Sequence, residues 1–193
     1  MNRVRIEIAN TNRAFPPWRS RTPFFLSSFD EFVASSYPNG GTALDLAGGI
    51  GRHALWLAKR NWLVTVVVIS EVAIRKLGQD AQQLDLTLNL LALDAKEYAF
   101  EPASFDLVVM FYHLDRDNCP QVLSALKPCG FLICKSPVCW DSFEGVAPAN
   151  LMPLAKGEIL SLFQNCQCCN LPSPWKCTAR FQMWITGVTK PVR

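Results

Sequence analysis

Ala43 to Ile74 reads ALDLAGGIGRHALWLAKRNWLVTVVVISEVAI, and the fold is decided inside this stretch. The apolar run TALDLA (Thr42 to Ala47) reads as a strand that meets three glycines, Gly48, Gly49 and Gly51, which let the backbone turn sharply. GRHALWLAKR (Gly51 to Arg60) then reads as a helix with Ala54, Leu55 and Ala58 on one face. LVTVVVI (Leu63 to Ile69) is a β-branched run with no polar alternation, the mark of a strand covered on both faces. Ser70 is placed to cap a second helix, along which Ala73, Leu77, Ala81 and Leu84 recur at helical spacing.

Outward from this unit the alternation continues. LNLLAL (Leu88 to Leu93), FDLVVMF (Phe105 to Phe111) and FLICK (Phe131 to Lys135) read as further strands, with a helix around Cys119 to Leu126 and a turn at KPCG. Upstream, Pro16, Pro17 and Pro23 keep an arm irregular until FFLSSFDEFVASSY, a short amphipathic helix, and PNGG (Pro38 to Gly41) breaks the chain. Downstream, KGEILSLF (Lys156 to Phe163) reads as helix and ARFQMWITGV (Ala179 to Val188) as a last strand. Strands alternating with helices predict an α/β fold: a doubly wound, mostly parallel, Rossmann-like sheet with helices on both faces. The expected organisation is one domain over 1–193, with an arm and cap helix (1–40), a core (41–137) and a C-terminal substrate-side region (138–193).

Composition narrows the class. Half of the 193 residues are hydrophobic and 18% are charged, which suits a globular domain rather than a disordered chain. No apolar run approaches the roughly 18 to 20 residues that cross a bilayer, and the first twenty residues hold no secretory h-region. A cytoplasmic protein without a membrane partner is expected, the Arg-rich start leaving an organelle address open. Arg3, Arg5, Arg13, Arg19 and Arg21 bias the arm towards positive charge, but a net charge of +3 does not demand a nucleic acid. All eight cysteines follow residue 118, without paired C-x-x-C spacing and far from His53 and His113, so no metal site is expected and the thiols read as free.

In such a sheet, ligands bind where strands end at their carboxyl side, beside the switch in strand order. That rule gathers Ala47 to Gly51, Val68 to Glu71, Asp94 to Lys96 and Met110 to Arg116. Gly49-x-Gly51-x-x-Ala54 also fits a dinucleotide pattern, so the loop alone does not choose a cofactor. Asp45 has two readings, ligand contact or turn cap, and so has Asp94, ligand contact or solvated loop carboxylate. Asp106 at a strand start reads as structural. Val68 stands where a nucleoside-binding second strand usually carries the acid that holds the ribose. Glu71, three residues on, either favours the helix dipole or reaches the ribose instead.

The Ala43 to Ile74 stretch resembles the first two motifs of class I S-adenosylmethionine-dependent methyltransferases, closest to the compact tellurite-resistance and thiopurine-type group. LALDA resembles the third motif, and SFDLVVMFYHLDR and ALKPCGFLICKSP the fourth and fifth, with Cys129 in place of a glycine. The similarity runs from about Thr22 to Pro137. It implies S-adenosyl-L-methionine as cofactor, with Asp45, Ala47, Gly48, Gly49 and Gly51 facing its methionine part. Val68 and Ile69 would lie along ribose and adenine, and Asp94 would accept from the adenine amino group with Ala95 behind it. Met110, Phe111 and Tyr112 would flank the sulfonium and the acceptor pocket. In the related enzymes the N-terminal segment is a lid, so Trp18 and Arg19 have two readings, a cap over the acceptor or surface packing.

Methyl transfer is an in-line displacement in which the cofactor supplies the reactivity and the protein supplies alignment. A general base is needed only where the acceptor holds its proton strongly. His113, just past the fourth strand, is the candidate, with Tyr112 as a possible bond to the acceptor. Asp115 reads as an N-cap for the following helix or a substrate carboxylate, and His53 as packed or near the cofactor's carboxylate. The expected function is an S-adenosylmethionine-dependent methyltransferase acting on a small molecule. The alternatives are a non-catalytic descendant, for which Val68 speaks, and an RNA or protein methyltransferase. Nothing in the sequence fixes the oligomeric state.

Overall fold

The computed structural model describes residues 23–138, 158–163, 167–169 and 182–189. Among these residues, seven strands form one sheet in the order β3-β2-β1-β4-β5-β7-β6. They are β1 (Thr42–Leu46), β2 (Leu63–Val67), β3 (Asn89–Leu91), β4 (Phe105–Phe111), β5 (Leu126–Val138), β6 (Gln167–Cys169) and β7 (Gln182–Thr189). The first five run parallel, whereas β7 is antiparallel to both β5 and β6. Chain order reverses between β1 and β4, the switch point beyond whose carboxyl ends such sheets bind ligands.

The helices are α1 (Pro23–Ser28, running on into a π-helical turn Phe29–Val33), α2 (Arg52–Ala58), α3 (Glu71–Gln83), α4 (Cys119–Ala125) and α5 (Glu158–Leu162). Two apolar clusters sandwich the sheet. One gathers Phe25, Phe29 and Val33 with Trp56, Leu57, Val66 and Leu77. The other gathers Leu44, Leu46, Val108, Val122 and Leu132 with Phe163 from the C-terminal part.

Most sequence expectations meet an observed element, and the departures have physical causes. β1 stops before Ala47 because that residue takes φ 56°, a left-handed turn. Helix α2 buries His53, Trp56 and Leu57 beside Ala54, whereas Leu55 and Ala58 are only half-buried, so the apolar face is rotated from the expected one. Ser70 does cap α3, its Oγ accepting from the Ala73 amide at 3.3 Å. Asp115 does not cap α4. That position belongs to Asn118, and Asp115 Oδ1 accepts from the Asp117 amide at 3.1 Å in the preceding turn. The K-P-C-G tract lies within β5, which begins at Leu126, and its register against β4 shifts between Phe105 and Leu107. Cys129 carries φ 62°, a backbone state that glycine would adopt without strain. β6 was not expected at all.

Asp106 is structural, as expected. Its Oδ2 accepts from the Thr42 amide at 2.8 Å, Thr42 Oγ1 at 2.9 Å and Lys127 Nζ at 2.9 Å, tying the starts of β1 and β4 together. Partial burial acts to raise this carboxyl, but those three donors outweigh it and hold it below the ordinary range.

Candidate functional site

The carboxyl ends of β1 to β4 bring most of the expected residues to one rim. Asp45, the penultimate residue of β1, is buried, and its Oδ2 has no hydrogen-bond partner. Burial pushes this carboxyl up to about 7, against the opposing pull of the Ala54 amide and the Arg52 charge. A buried acceptor left open at a glycine loop is the mark of a missing donor.

The loop is shaped around that carboxyl. A Cβ on Gly48 would stand 2.6 Å from the Asp45 Cγ, and one on Gly51, at φ 71°, would overlap the Leu77 side chain. Gly49, at φ 59°, differs: a Cβ there meets nothing within 4 Å, so the loop's crest faces open space. The Ala47 amide donates to the Val67 carbonyl at 2.8 Å, which pins the loop to the end of β2.

At the β2 corner, Val68 is 7% exposed and belongs to the cluster with Leu77 and Ala54, whereas Ile69 is 71% and Val72 73% exposed. The β2 corner is therefore apolar. Glu71 opens α3 and is exposed. On the β3 loop, half-buried Asp94 accepts from the Lys96 amide at 3.0 Å, and the buried Ala95 offers its carbonyl to Asn118 Nδ2 at 3.2 Å.

At the end of β4 the expected residues separate. Met110 is buried in the cluster beneath α4, so its side chain belongs to the core. Phe111 stacks on His53 with ring centroids 4.5 Å apart, and His53 stacks in turn on Phe25, also at 4.5 Å. His53 is thus a packed residue. Burial, then the charges of Arg52 and Lys135, push its imidazole down to about 3. Tyr112 takes φ 59° and turns outward. His113 is half-buried, with an Nε2 that has no hydrogen-bond partner. Trp18 and Arg19 lie outside the described residues. Among those described, no group of three or more His, Cys, Asp or Glu is placed to hold a metal, and no helix is long and apolar enough to cross a membrane.

Sequence reasoning passed over Arg52 and Lys135. Lys135 is nearly buried within β5, and Arg52 opens α2, its charge acting on Asp45, His53, Tyr112 and Lys135. A signal was available, since a lysine closing the apolar run FLIC is out of pattern for a covered strand.

Residues 43–130 match the family model of the methyltransferase domain. That segment is where the chain resembles a methyltransferase domain. The fold around it is shared with solved structures of low sequence identity. One is the [4+2]-cyclase SpnF, at 20% identity and TM-score 0.63, covering 74% of this chain and 57% of that one. Another is the Burkholderia thailandensis 1,6-didemethyltoxoflavin-N1-methyltransferase, solved with 1,6-didemethyltoxoflavin and S-adenosylhomocysteine. It shows 14% identity and TM-score 0.67, covering 88% of this chain and 79% of that one. TehB from Haemophilus influenzae shows 16% identity and TM-score 0.64, covering 84% of this chain and 62% of that one. The chain thus spans less than two thirds of SpnF and of TehB. No curated protein matches it by sequence. Strand order, glycine loop and the match to the methyltransferase-domain model agree with the class I methyltransferase fold expected from the sequence.

Proposed function

We propose that the protein is an S-adenosylmethionine-dependent methyltransferase with a small-molecule acceptor. The observation that carries the reading is the open Oδ2 of buried Asp45 beneath a glycine loop in the segment that matches the methyltransferase-domain model. The cofactor's α-ammonium is the donor that would complete it. When bound, that cofactor supplies a methyl group activated by a sulfonium.

The residues present fit the group. Asp45 would take the ammonium, and the Gly48 to Gly51 backbone would approach the amino-acid part, Gly49 having space in front of it. Ile69 and Val72 would cover one face of the adenine, and Asp94 would accept from its amino group beside Ala95. Phe111 and Tyr112 border the acceptor side, and His113 is the candidate base if the acceptor arrives protonated. Trp18 and Arg19 are retained as cap residues of the same proposal, and cytoplasm as the location.

Calorimetry of the purified protein with S-adenosylmethionine, S-adenosylhomocysteine and NAD(P)H tests the reading. Binding of the first two and not the third is expected; absence of binding by either at millimolar concentration sinks the enzyme. A binding protein without turnover is the second reading, favoured by Val68 and Ile69 in place of a polar ribose grip. It predicts S-adenosylhomocysteine binding with no methyl transfer across a panel of acceptors. An RNA acceptor would instead show RNA affinity that falls steeply with added salt.

A further inference from the structure

Asp45 sits where a negative charge is hard to keep. Its register neighbours are Val66 on β2 and Val109 on β4, both fully buried in the apolar cluster that holds Trp56 and Leu77. Asp45 itself is 1% exposed. One of its carboxyl oxygens accepts from the Ala54 amide, while Oδ2 has no hydrogen-bond partner. Oδ2 is also the oxygen on the loop side. A Cβ on Gly48 would stand 2.6 Å from it, whereas one on Gly49, the next residue, would meet nothing within 4 Å.

Among the described residues no ion pair reaches this carboxyl. The charges on the surrounding elements do not replace one. Arg52, at the start of α2, pulls the carboxyl down, and the next residue, His53, is neutral because its imidazole is pushed down to about 3. Ala47 to Gly51 carry no titratable side chain, and α3 meets the cluster through Leu77. Glu71 on α3 and Asp30 and Glu31 on the π-helical turn are exposed. Burial wins, and the carboxyl stands at about 7. A carboxyl taken out of water with one oxygen open is more stable with its proton on.

We propose that Asp45 holds a proton in the free protein and gives it up when a ligand's ammonium takes the open side of the carboxyl, so that the loop selects nucleosides with a cationic amino-acid end. The proposal rests on the methyltransferase reading and adds how that site discriminates. The Asp45 O–H bond breaks and its proton passes to water, while the ammonium keeps its three protons and donates to Oδ2. A nucleoside without the ammonium has nothing to exchange and leaves Asp45 protonated. Ligand and proton compete for one carboxylate. Below about 7, affinity for the ammonium ligand therefore falls as pH falls; above it the carboxyl is already ionised and that dependence flattens.

The test titrates two ligands calorimetrically into the full chain at pH 6, in two buffers of different ionisation enthalpy. One is S-adenosylhomocysteine; the other is 5′-methylthioadenosine, which keeps the adenosine thioether and lacks the amino-acid part. An α-ammonium loses its proton only near about 8, so the first ligand stays cationic. The expected result is release of about one proton per S-adenosylhomocysteine bound and none per methylthioadenosine. Affinity for S-adenosylhomocysteine should also fall about tenfold from pH 6 to pH 5, and that for methylthioadenosine should stay level. Asp45→Asn keeps the shape without the titrating proton. It should retain the far-ultraviolet circular dichroism of the parent, bind S-adenosylhomocysteine more weakly and release no proton. Binding of S-adenosylhomocysteine without proton release, or the same release with methylthioadenosine or from Asp45→Asn, overturns the exchange and leaves the cofactor site standing. No binding of S-adenosylhomocysteine at millimolar concentration overturns the methyltransferase reading, and the exchange with it.

Discussion

Two residues carry most of the argument at the smallest scale. Asp45 is held up at about 7, against an ordinary 3.8, because the fold buries it. Between those values the folded protein binds a proton that the unfolded chain has released. The stability due to the neutral form is therefore complete below pH about 4 and is lost as pH rises through about 7. Three pH units correspond to about 4 kcal/mol at most. Asp45→Asn should flatten the dependence of the urea midpoint on pH across that window and leave the variant the more stable protein at pH 8. The same change should weaken S-adenosylmethionine by about 10- to 150-fold, since a charged hydrogen bond is lost. A parent whose midpoint is already flat with pH would contradict this.

Val68 gives the complementary prediction. It is packed against Leu77 and Ala54, so Val68→Asp places an unpaired charge in an apolar cluster. A loss of about 3 to 5 kcal/mol is expected without ligand. If strand register puts this position beside the ribose, S-adenosylmethionine should raise the melting temperature of the variant by more than that of the parent. Equal shifts would mean that the position does not meet the ligand.

Among the elements, the glycine loop separates folding from binding. Gly51→Ala meets both a left-handed backbone and the Leu77 side chain, and should cost about 2 to 4 kcal/mol in a urea melt. Gly49→Ala meets no neighbour, so its stability cost should stay near about 1 kcal/mol, the left-handed backbone alone. Its methyl would stand in the space assigned to the ligand, and cofactor affinity by calorimetry should fall more than tenfold. Loss of stability without loss of affinity at Gly49 would place the ligand elsewhere. The loop was legible in the sequence because glycine at a strand-to-helix turn has few other uses. β4 was read to its ends because the turns beside it are polar and its run is continuous. The burial face of α2 was not legible. His53 is drawn inward by Phe25 from α1, a contact with no local signature, and Trp56 outcompetes Leu55 for the core. Lys135 was passed over although a lysine after the apolar run FLIC is out of pattern for a covered strand.

Across the whole molecule, the parts flanking the core are built into its two clusters rather than appended. Helix α1 supplies Phe25, and the π-helical turn supplies Phe29 and Val33, to the cluster that also holds Val68 and Leu77. The C-terminal part supplies β7, paired with β5 from Phe131 to Val138, and Phe163, fully buried with Cys119, Val122 and Met110. An ion pair joins the same regions, Arg116 Nη2 donating to Glu158 Oε2 at 3.0 Å while Nε engages Oε1. The ion pair is half-exposed and adds little, whereas the ring fills a core site. Phe163→Ala should thus cost about 3 to 5 kcal/mol, the range for deleting a buried aromatic, and Glu158→Gln less than about 1 kcal/mol. Because Phe163 shares an apolar cluster with Met110 of β4, the same truncation should loosen the rim that carries Phe111 and Tyr112. Hydrogen exchange is expected to rise there in Phe163→Ala while the Asp106 anchor at the opposite end of β4 stays protected. A variant with the expected loss of stability but uniform exchange along β4 would show that the C-terminal part supports the core without positioning the acceptor side.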